Sequence, residues 1–318
     1  MSKKDDEPIP PSKKDLLDIA SLSVEEIEYL LKSAGPFKEL FKRSIKKVPA
    51  LRGKSVLNLF YEPSTRTSSS FEVAAKRMSA DVTNLSVSQS SVVKGESVLD
   101  TVDTLQAMKT DYIVIRHKAA GIPNLLANHT RASILNAGDG FHAHPTQALL
   151  DAFTFREVIP KSRGKRIVIV GDILHSRVAR STSTIFNKLG VEVAVLGPGP
   201  LIPPGRNDFI KRLSSWEDVF DWKPDAVYLL RVQMERQDEQ FFPSLTEYHK
   251  VYGLTSERFK TLASEGTYLM HPGPVNRGVE IVDEAMLYEK SLINQQVENG
   301  IAVRMAALYW LKPGTEEK

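Results

Sequence analysis

The chain of 318 residues contains no cysteine. That absence excludes disulfides, thiolate zinc sites, iron–sulfur ligation and a cysteine nucleophile. It gives no sign of an oxidising compartment. Long apolar runs are missing too. The longest, around residues 112–115, 167–170 and 305–311, fall far short of the roughly 20 residues needed to span a bilayer. The opening segment MSKKDDEPIPPSKKD has no apolar h-region and mixes both signs of charge, unlike a signal or transit peptide. A soluble cytoplasmic protein with a solvated tail over residues 1–11 and no membrane contact is the expectation. Excess charge of one sign is also scarce. Lysine and arginine number 42 against 39 acidic residues, a formal +3. That balance argues against a nucleic-acid partner while leaving room for local basic pockets.

Several site motifs are absent. No G-x-x-x-x-G-K-[ST] and no G-x-G-x-x-G follows a strand pattern. Gly171-Asp-Ile-Leu-His175 comes after a strand pattern but lacks the glycines that close approach of a pyrophosphate requires. There is no G-x-S-x-G elbow and no H-E-x-x-H, so nucleotide cofactors, a serine nucleophile and a metal site are all unsupported.

Hydrophobic residues make up 42% of the chain, enough for cores in the roughly two domains that this length suggests. Ser23 followed by Glu26 has the form of a capping box and opens a helical pattern through Phe37. Strand patterns are predicted at 55–60, 81–87, 112–115 and 133–135, and again at 166–170, 192–196, 226–230 and 267–270. Helical windows lie near 69–78, 98–108, 146–155, 178–189 and 257–263. Short strands alternating with helices imply right-handed crossovers and parallel sheets. The expected fold is α/β with two domains, each a parallel sheet flanked by helices. Val297, Ile301, Met305 and Leu308 have helical spacing and predict a C-terminal helix returning to the first domain. The expected division is a first domain of 12–150 plus 296–318 and a second of 151–295.

In open parallel sheets ligands gather outside the carboxyl ends of the strands. Here one predicted strand end after another carries polar residues: Glu62-Pro-Ser-Thr-Arg-Thr, Arg116-His117, His144-Pro-Thr-Gln147, His175-Ser-Arg177, Arg231-Val-Gln233 and His271-Pro-Gly-Pro274. The repetition predicts one polar cleft. Ser64-Thr65-Arg66-Thr67 is its sharpest part. A strand ends and a helix begins within a few residues, so unpaired backbone N–H groups and the helix dipole favour an anion there. Two hydroxyls and a guanidinium add donors suited to phosphate. The plain alternative is an ordinary Ser/Thr cap followed by a surface arginine. Arg116, His144 and Gln147 could complete a donor set for a carbonyl or the anion. Arg177 and Arg231 are either surface ion-pair partners or bidentate carboxylate binders. Residues 88–97 read as a solvated loop or as a flap carrying Lys94 into a site.

With these residues the sequence resembles the aspartate carbamoyltransferase catalytic chains of the aspartate/ornithine carbamoyltransferase family, from about Ser12 to Leu311. The resemblance rests on Phe60-Tyr-Glu-Pro-Ser-Thr-Arg-Thr-Ser-Ser-Ser-Phe-Glu72, Lys94-Gly-Glu-Ser97, His144-Pro-Thr-Gln-Ala-Leu-Leu-Asp151, His175-Ser-Arg-Val-Ala-Arg180, Arg231-Val-Gln-Met-Glu-Arg236 and His271-Pro-Gly-Pro274. It implies that the first domain binds carbamoyl phosphate and the second L-aspartate. Ser64, Thr65, Arg66 and Thr67 would take the phosphate. Arg116, His144 and Gln147, with backbone groups of Gly273-Pro274, would take the carbonyl and amide end. Arg177, Arg231 and Gln233 would hold aspartate. Lys94 and Ser90 (Ser88 and Ser91 being alternatives) would come from a neighbouring chain of a homotrimer with shared active sites. Some relatives join zinc-carrying regulatory chains and others associate with dihydroorotase, so either is a possible partner. The Gly273–Pro274 bond is expected to be cis, X–Pro being the one common setting for that isomer.

The implied reaction is carbamoyl transfer to the α-amino group of aspartate, an early step of de novo pyrimidine (UMP) biosynthesis. It needs neither cofactor nor metal. Arg66, Thr67, Arg116 and His144 are the candidate catalytic residues. The near rival is an ornithine-using relative, but a cationic side chain would match Arg231 and Lys94 poorly. A non-catalytic anion-binding protein on the same fold is the rival from another class.

Overall fold

The structure, a computed structural model, describes residues 12–86, 97–204, 210–232 and 244–314. The chain forms two compact units. One comprises the residues up to Asp139 together with those from Ile301 onward; the other is Gly140–Gly300.

The first unit is a four-stranded sheet of β1 (Ser55–Phe60), β2 (Asp81–Ser86), β3 (Tyr112–His117) and β4 (Ser133–Asp139). The order is β2-β1-β3-β4 and every pairing is parallel. Parallel sheets are covered on both faces, which favours near-continuous apolar strands, and Val56–Phe60 is buried throughout. Leu57, Leu59, Ile113, Ile115 and Ile134 join Val102, Leu105 and Leu126 in one core cluster. Each such side chain taken out of water contributes about 1.5–3 kcal/mol. The helix Val24–Glu39 opens with the expected capping box, Ser23 and Glu26 satisfying each other's backbone N–H.

Strands β3 and β4 run past their predicted ends. The extra length of β4 consists of polar and small residues with no strand pattern. Asn136 donates to the Leu17 carbonyl at 2.8 Å and to Asp139 at 2.7 Å, and accepts from the Gly138 N–H. Buried polar groups that are satisfied in this way can continue a strand that composition would end.

The second unit has β5 (Arg166–Val170), β6 (Glu192–Leu196), β7 (Ile210–Arg212), β8 (Ala226–Leu229) and β9 (Tyr268–Met270). These are again all parallel, in the order β7-β6-β5-β8-β9. Strand β7 was not expected. Its three residues are half-buried or exposed, too short and too polar for a period-2 signal. The core joins Val168, Val170, Leu196, Val227 and Leu229 to Trp216, Leu254, Leu262 and Leu269.

The last helix, Ile293–Trp310, crosses from the second unit into the first. There Tyr309 packs edge-on against Phe37, Arg304 lies over Phe71 and the Leu311 carbonyl accepts from Tyr112 Oη. Among the described residues no helix is long and apolar enough to cross a membrane.

Candidate functional site

In the first unit the polar residues gather where β1 and β3 end. These strands pair Phe60 with Arg116, and the Tyr61 N–H donates to the Arg116 carbonyl at 2.9 Å. The chain then turns through Glu62 and Pro63 into the helix Thr65–Arg77. This helix begins four residues before its predicted start at 69. Its first turn, Thr-Arg-Thr-Ser, has no apolar residue to reveal it; Phe71, Ala74 and Ala75 supply the buried face.

The cap residue Ser64 makes no side-chain capping bond, and no acidic residue lies in the first turn. The helix's first N–H groups therefore have neither a serine oxygen nor a carboxylate from their own helix. Thr65 and Arg66 are exposed; Ser64 and Thr67 are half-buried. Such a start, with the dipole's positive end and the Arg66 guanidinium, is suited to a multiply charged oxyanion.

Arg116 is held beside this start by Glu62, Nη2 to Oε1 2.8 Å, with only 11% of the arginine side chain exposed. Its Nη1 donates to the Ala137 carbonyl at 3.4 Å. Sequence reasoning missed Glu62 as this partner, although it lies within the same motif. Of the other histidines, His117 is pulled below its ordinary value mainly by burial and accepts from the Ala119 N–H at 2.9 Å.

In the second unit the helix Pro145–Val158 starts in a similar way. His144 caps it at φ −147°, ψ 75°, close to the −161° and 85° of Ser64, and again with no side-chain capping bond. Proline at the first helical position lacks only an N–H that would have had no acceptor within the helix. The His144 backbone N–H donates to Ser181 Oγ at 2.9 Å, and the residue is largely buried. One turn into the helix, Gln147 Nε2 donates to Asp151 Oδ1 at 2.9 Å.

Arg177, 3% exposed, begins the helix Arg177–Lys188 and donates to the Gly140 carbonyl at 3.3 Å. Arg231 follows β8 and is half-buried. Its neighbour is anchored: Val232 N–H donates to Glu280 Oε1 at 2.7 Å, and Asn276 Nδ2 donates to the Val232 carbonyl at 3.2 Å and to the same Oε1 at 2.7 Å. Burial pushes the Glu280 carboxyl up, against these donors.

After β9 the turn His271–Pro274 is tied at both ends of His271. Its N–H donates to Gln296 Oε1 at 3.0 Å, and its Nδ1 accepts from the Gly273 N–H at 2.8 Å. Gly273 takes φ +66°, where a glycine is needed, and the Gly273–Pro274 bond is cis as expected.

Within each unit the predicted residues thus collect at strand ends and helix starts. Lys94, Ser90, its alternatives Ser88 and Ser91, and Gln233 lie outside the described residues. Ser181, Glu280, Asn276 and Gln296 were not singled out in the sequence, and Glu62 stood there only as part of its polar cluster. Only pairs at helical spacing, such as Gln147 with Asp151, carried a local signal. Among the described residues no group of three or more His, Asp or Glu could hold a metal ion.

Residues 14–157 match the family model "Aspartate/ornithine carbamoyltransferase, carbamoyl-P binding domain", and residues 163–311 match its "Asp/Orn binding domain". A protein of Akkermansia muciniphila named aspartate carbamoyltransferase catalytic subunit is 67% identical over 304 residues, 96% of this chain and 98% of that one. One of the same name from Endomicrobium trichonymphae is 53% identical over 94% of this chain and 96% of its own. Among solved structures, aspartate transcarbamoylase of Trypanosoma cruzi in complex with carbamoyl phosphate and aspartate superposes with a TM-score of 0.84. It is 26% identical over 96% of this chain and 99% of that one. The catalytic subunit of M. jannaschii aspartate transcarbamoylase gives 0.79, at 33% identity over 93% and 97%.

Proposed function

The chain belongs to the aspartate/ornithine carbamoyltransferase family, and from that membership we propose that it transfers the carbamoyl group of carbamoyl phosphate to L-aspartate. The products are N-carbamoyl-L-aspartate and phosphate, and the reaction is an early step of pyrimidine (UMP) biosynthesis, expected in the cytoplasm. The observation that carries the reading is the uncapped helix start at Ser64–Thr67, with Arg66 on it and Arg116 beside it. An ordinary serine cap would have used that position for the helix itself.

Ser64, Thr65, Arg66 and Thr67 bind the phosphate; Arg116, His144, Gln147, Gly273 and Pro274 bind the carbamoyl end. Arg177, Arg231 and Gln233 hold the carboxylates of aspartate. The deprotonated α-amino nitrogen attacks the carbonyl carbon and forms the new C–N bond. The carbon–oxygen bond to phosphate then breaks, and the departing phosphate takes the amine's proton. Thr67, Arg116 and His144 donate to the oxyanion that develops on the carbonyl oxygen, an electrostatic contribution that often dominates such barriers. Holding both anions in register supplies the rest through proximity.

Aspartate is favoured over ornithine because Arg231 and Lys94 suit a second carboxylate, and because the relatives named above carry the aspartate name. Incubating the chain with carbamoyl phosphate and either amino acid, while measuring released phosphate, tests the reading. Release with ornithine and none with aspartate would refute it.

The chain acts as a homotrimer in which Lys94 and Ser90 of one copy serve a neighbour's site. Lys94→Ala and Arg231→Ala chains should each be nearly inactive alone. Reassembled together they should regain part of the activity, because some interfaces join an intact Lys94 to an intact Arg231. Verified mixed trimers with no recovered activity would count against shared sites.

A further inference from the structure

The least expected group in the second unit is a carboxylate with no exposure at all. Asp151 is 0% exposed, and each of its oxygens accepts two hydrogen bonds. Oδ1 accepts from Gln147 Nε2 at 2.9 Å and from Gln296 Nε2 at 2.8 Å. Oδ2 accepts from Thr182 Oγ1 at 2.9 Å and from Tyr228 Oη at 2.9 Å. All of these donors are uncharged. Burial without a cation is costly, and it pushes the Asp151 carboxyl up to about 7 against the pull of Gln296, Tyr228, Thr182 and Gln147. A well-packed apolar residue would serve stability as well or better.

What the carboxylate does, and an apolar residue could not, is choose between the two faces of a side-chain amide. The oxygen and nitrogen ends of a glutamine amide are nearly isosteric, and the surrounding bonds decide which end points where. An ionised carboxylate only accepts, so it draws the NH2 of both glutamines toward itself. Gln296 is thereby left with Oε1 for the His271 N–H, the bond that seats the turn His271–Pro274. Gln147 is left with Oε1 as its acceptor. The Thr182 and Tyr228 bonds to Oδ2 keep the carboxylate from rotating away.

We propose that Asp151 is a positioning residue for the carbamoyl group: it fixes Gln147 as an acceptor and, through Gln296, holds the His271–Pro274 turn. The inference rests on the carbamoyl-transfer reading above. A carbamoyl NH2 brings two donors and is recognised only by acceptors; a flipped Gln147 would meet it donor to donor.

The test separates the two ends of carbamoyl phosphate. In Asp151→Ala, kcat/KM for carbamoyl phosphate should fall about a hundredfold, the scale on which buried donors lose their acceptor. Inhibition by inorganic phosphate, which has no carbamoyl end, should stay within about twofold. In Asp151→Asn the amide oxygen can replace Oδ1 while the two hydroxyls turn to accept, so about tenfold of the loss should return. A parallel loss of phosphate inhibition, or an Asn variant no better than Ala, overturns the proposal. Should Asp151→Ala fail to fold, Gln296→Met reads the second arm. There kcat/KM for carbamoyl phosphate should fall about tenfold with phosphate inhibition unchanged, and a wild-type value overturns the relay. A wild-type chain that carbamoylates no aspartate strikes the functional reading itself, whatever the variants do.

Discussion

Ser64 in the first unit and Ser176 in the second each precede a helix that follows a parallel strand, yet only Ser176 caps its helix with its own side chain. Ser176 Oγ accepts from the Ala179 N–H at 3.1 Å, whereas Ser64 makes no such bond. Ser23, Ser97, Ser215, Ser244 and Thr255 behave like Ser176. Among the described residues Ser64 is therefore the exception within its residue type. His144, at the start of the helix Pro145–Val158, shares its backbone conformation and its missing cap. A side-chain cap stabilises a helix by satisfying one of its orphan N–H groups. Withholding it concedes that stability and leaves the N–H groups to a ligand. The contrast sets a helix start closed by its own serine against one on which the proposed anion site rests.

The strongest way to break the contrast is Arg66→Ala. Removing the guanidinium from the uncapped start should lower carbamoyl transfer by about two to three orders of magnitude while the unfolding midpoint stays put. Near-normal turnover would return Ser64–Thr67 to the class of ordinary surface caps. Arg231→Ala should act on the other substrate, raising the KM for aspartate about a hundredfold through loss of a charged hydrogen-bond partner. Equilibrium binding of carbamoyl phosphate alone should be unaffected, and an equal drop there would move Arg231 to the first substrate's site.

A smaller effect concerns the second unit's own cost for holding its site. Asp151 has an ordinary value of 3.8, raised to about 7 in the fold. The folded state then binds the proton more tightly than the unfolded one. Stability from this group is fully present below pH 3.8 and is lost as pH climbs to about 7. Thermal unfolding midpoints of the native chain should decline across that window relative to those of Asp151→Asn. Parallel pH profiles for the two proteins would show that the carboxyl is not so perturbed. Smallest of all, Ser176→Ala should cost about 1 kcal/mol in denaturant unfolding, and Ser64→Ala only a few tenths. Equal losses would mean that Ser64 caps its helix in solution after all.

The strands were the most legible part of the chain. Ser55–Phe60, Arg166–Val170 and Glu192–Leu196 have the bounds their apolar runs predict, because burial on both faces writes itself into composition. Helix starts were less legible. The helix Thr65–Arg77 begins in a polar turn, so no apolar periodicity marks its start. The short helices Ile122–His129, Trp216–Trp222 and Leu245–Val251 offer about two turns each, too few for the period to stand out. In the site, residue types and spacing singled out Ser64–Thr67, Arg116, His144 and Gln147, while their supports stayed hidden. Glu62, Ser181 and Gln296 have no pattern of their own, and each matters only through the atom it happens to meet.

By itself the sequence determined what is local: the apolar strands, the Ser23 and Glu26 capping box, the exclusion of thiol chemistry, and the spacing that puts Asp151 one turn beyond Gln147. All of these depend on residues a few positions apart, where backbone geometry dictates who can meet whom. Tertiary structure alone decided that Asp151 also accepts from Thr182, Tyr228 and Gln296, the last 145 residues away. It likewise decided that Ser64 leaves its helix uncapped while Ser176 does not. Such outcomes turn on which donors the packed chain delivers to a given oxygen. A hydrogen bond between distant residues forms only after core burial has brought their elements together, offsetting the entropy of closing the chain between them.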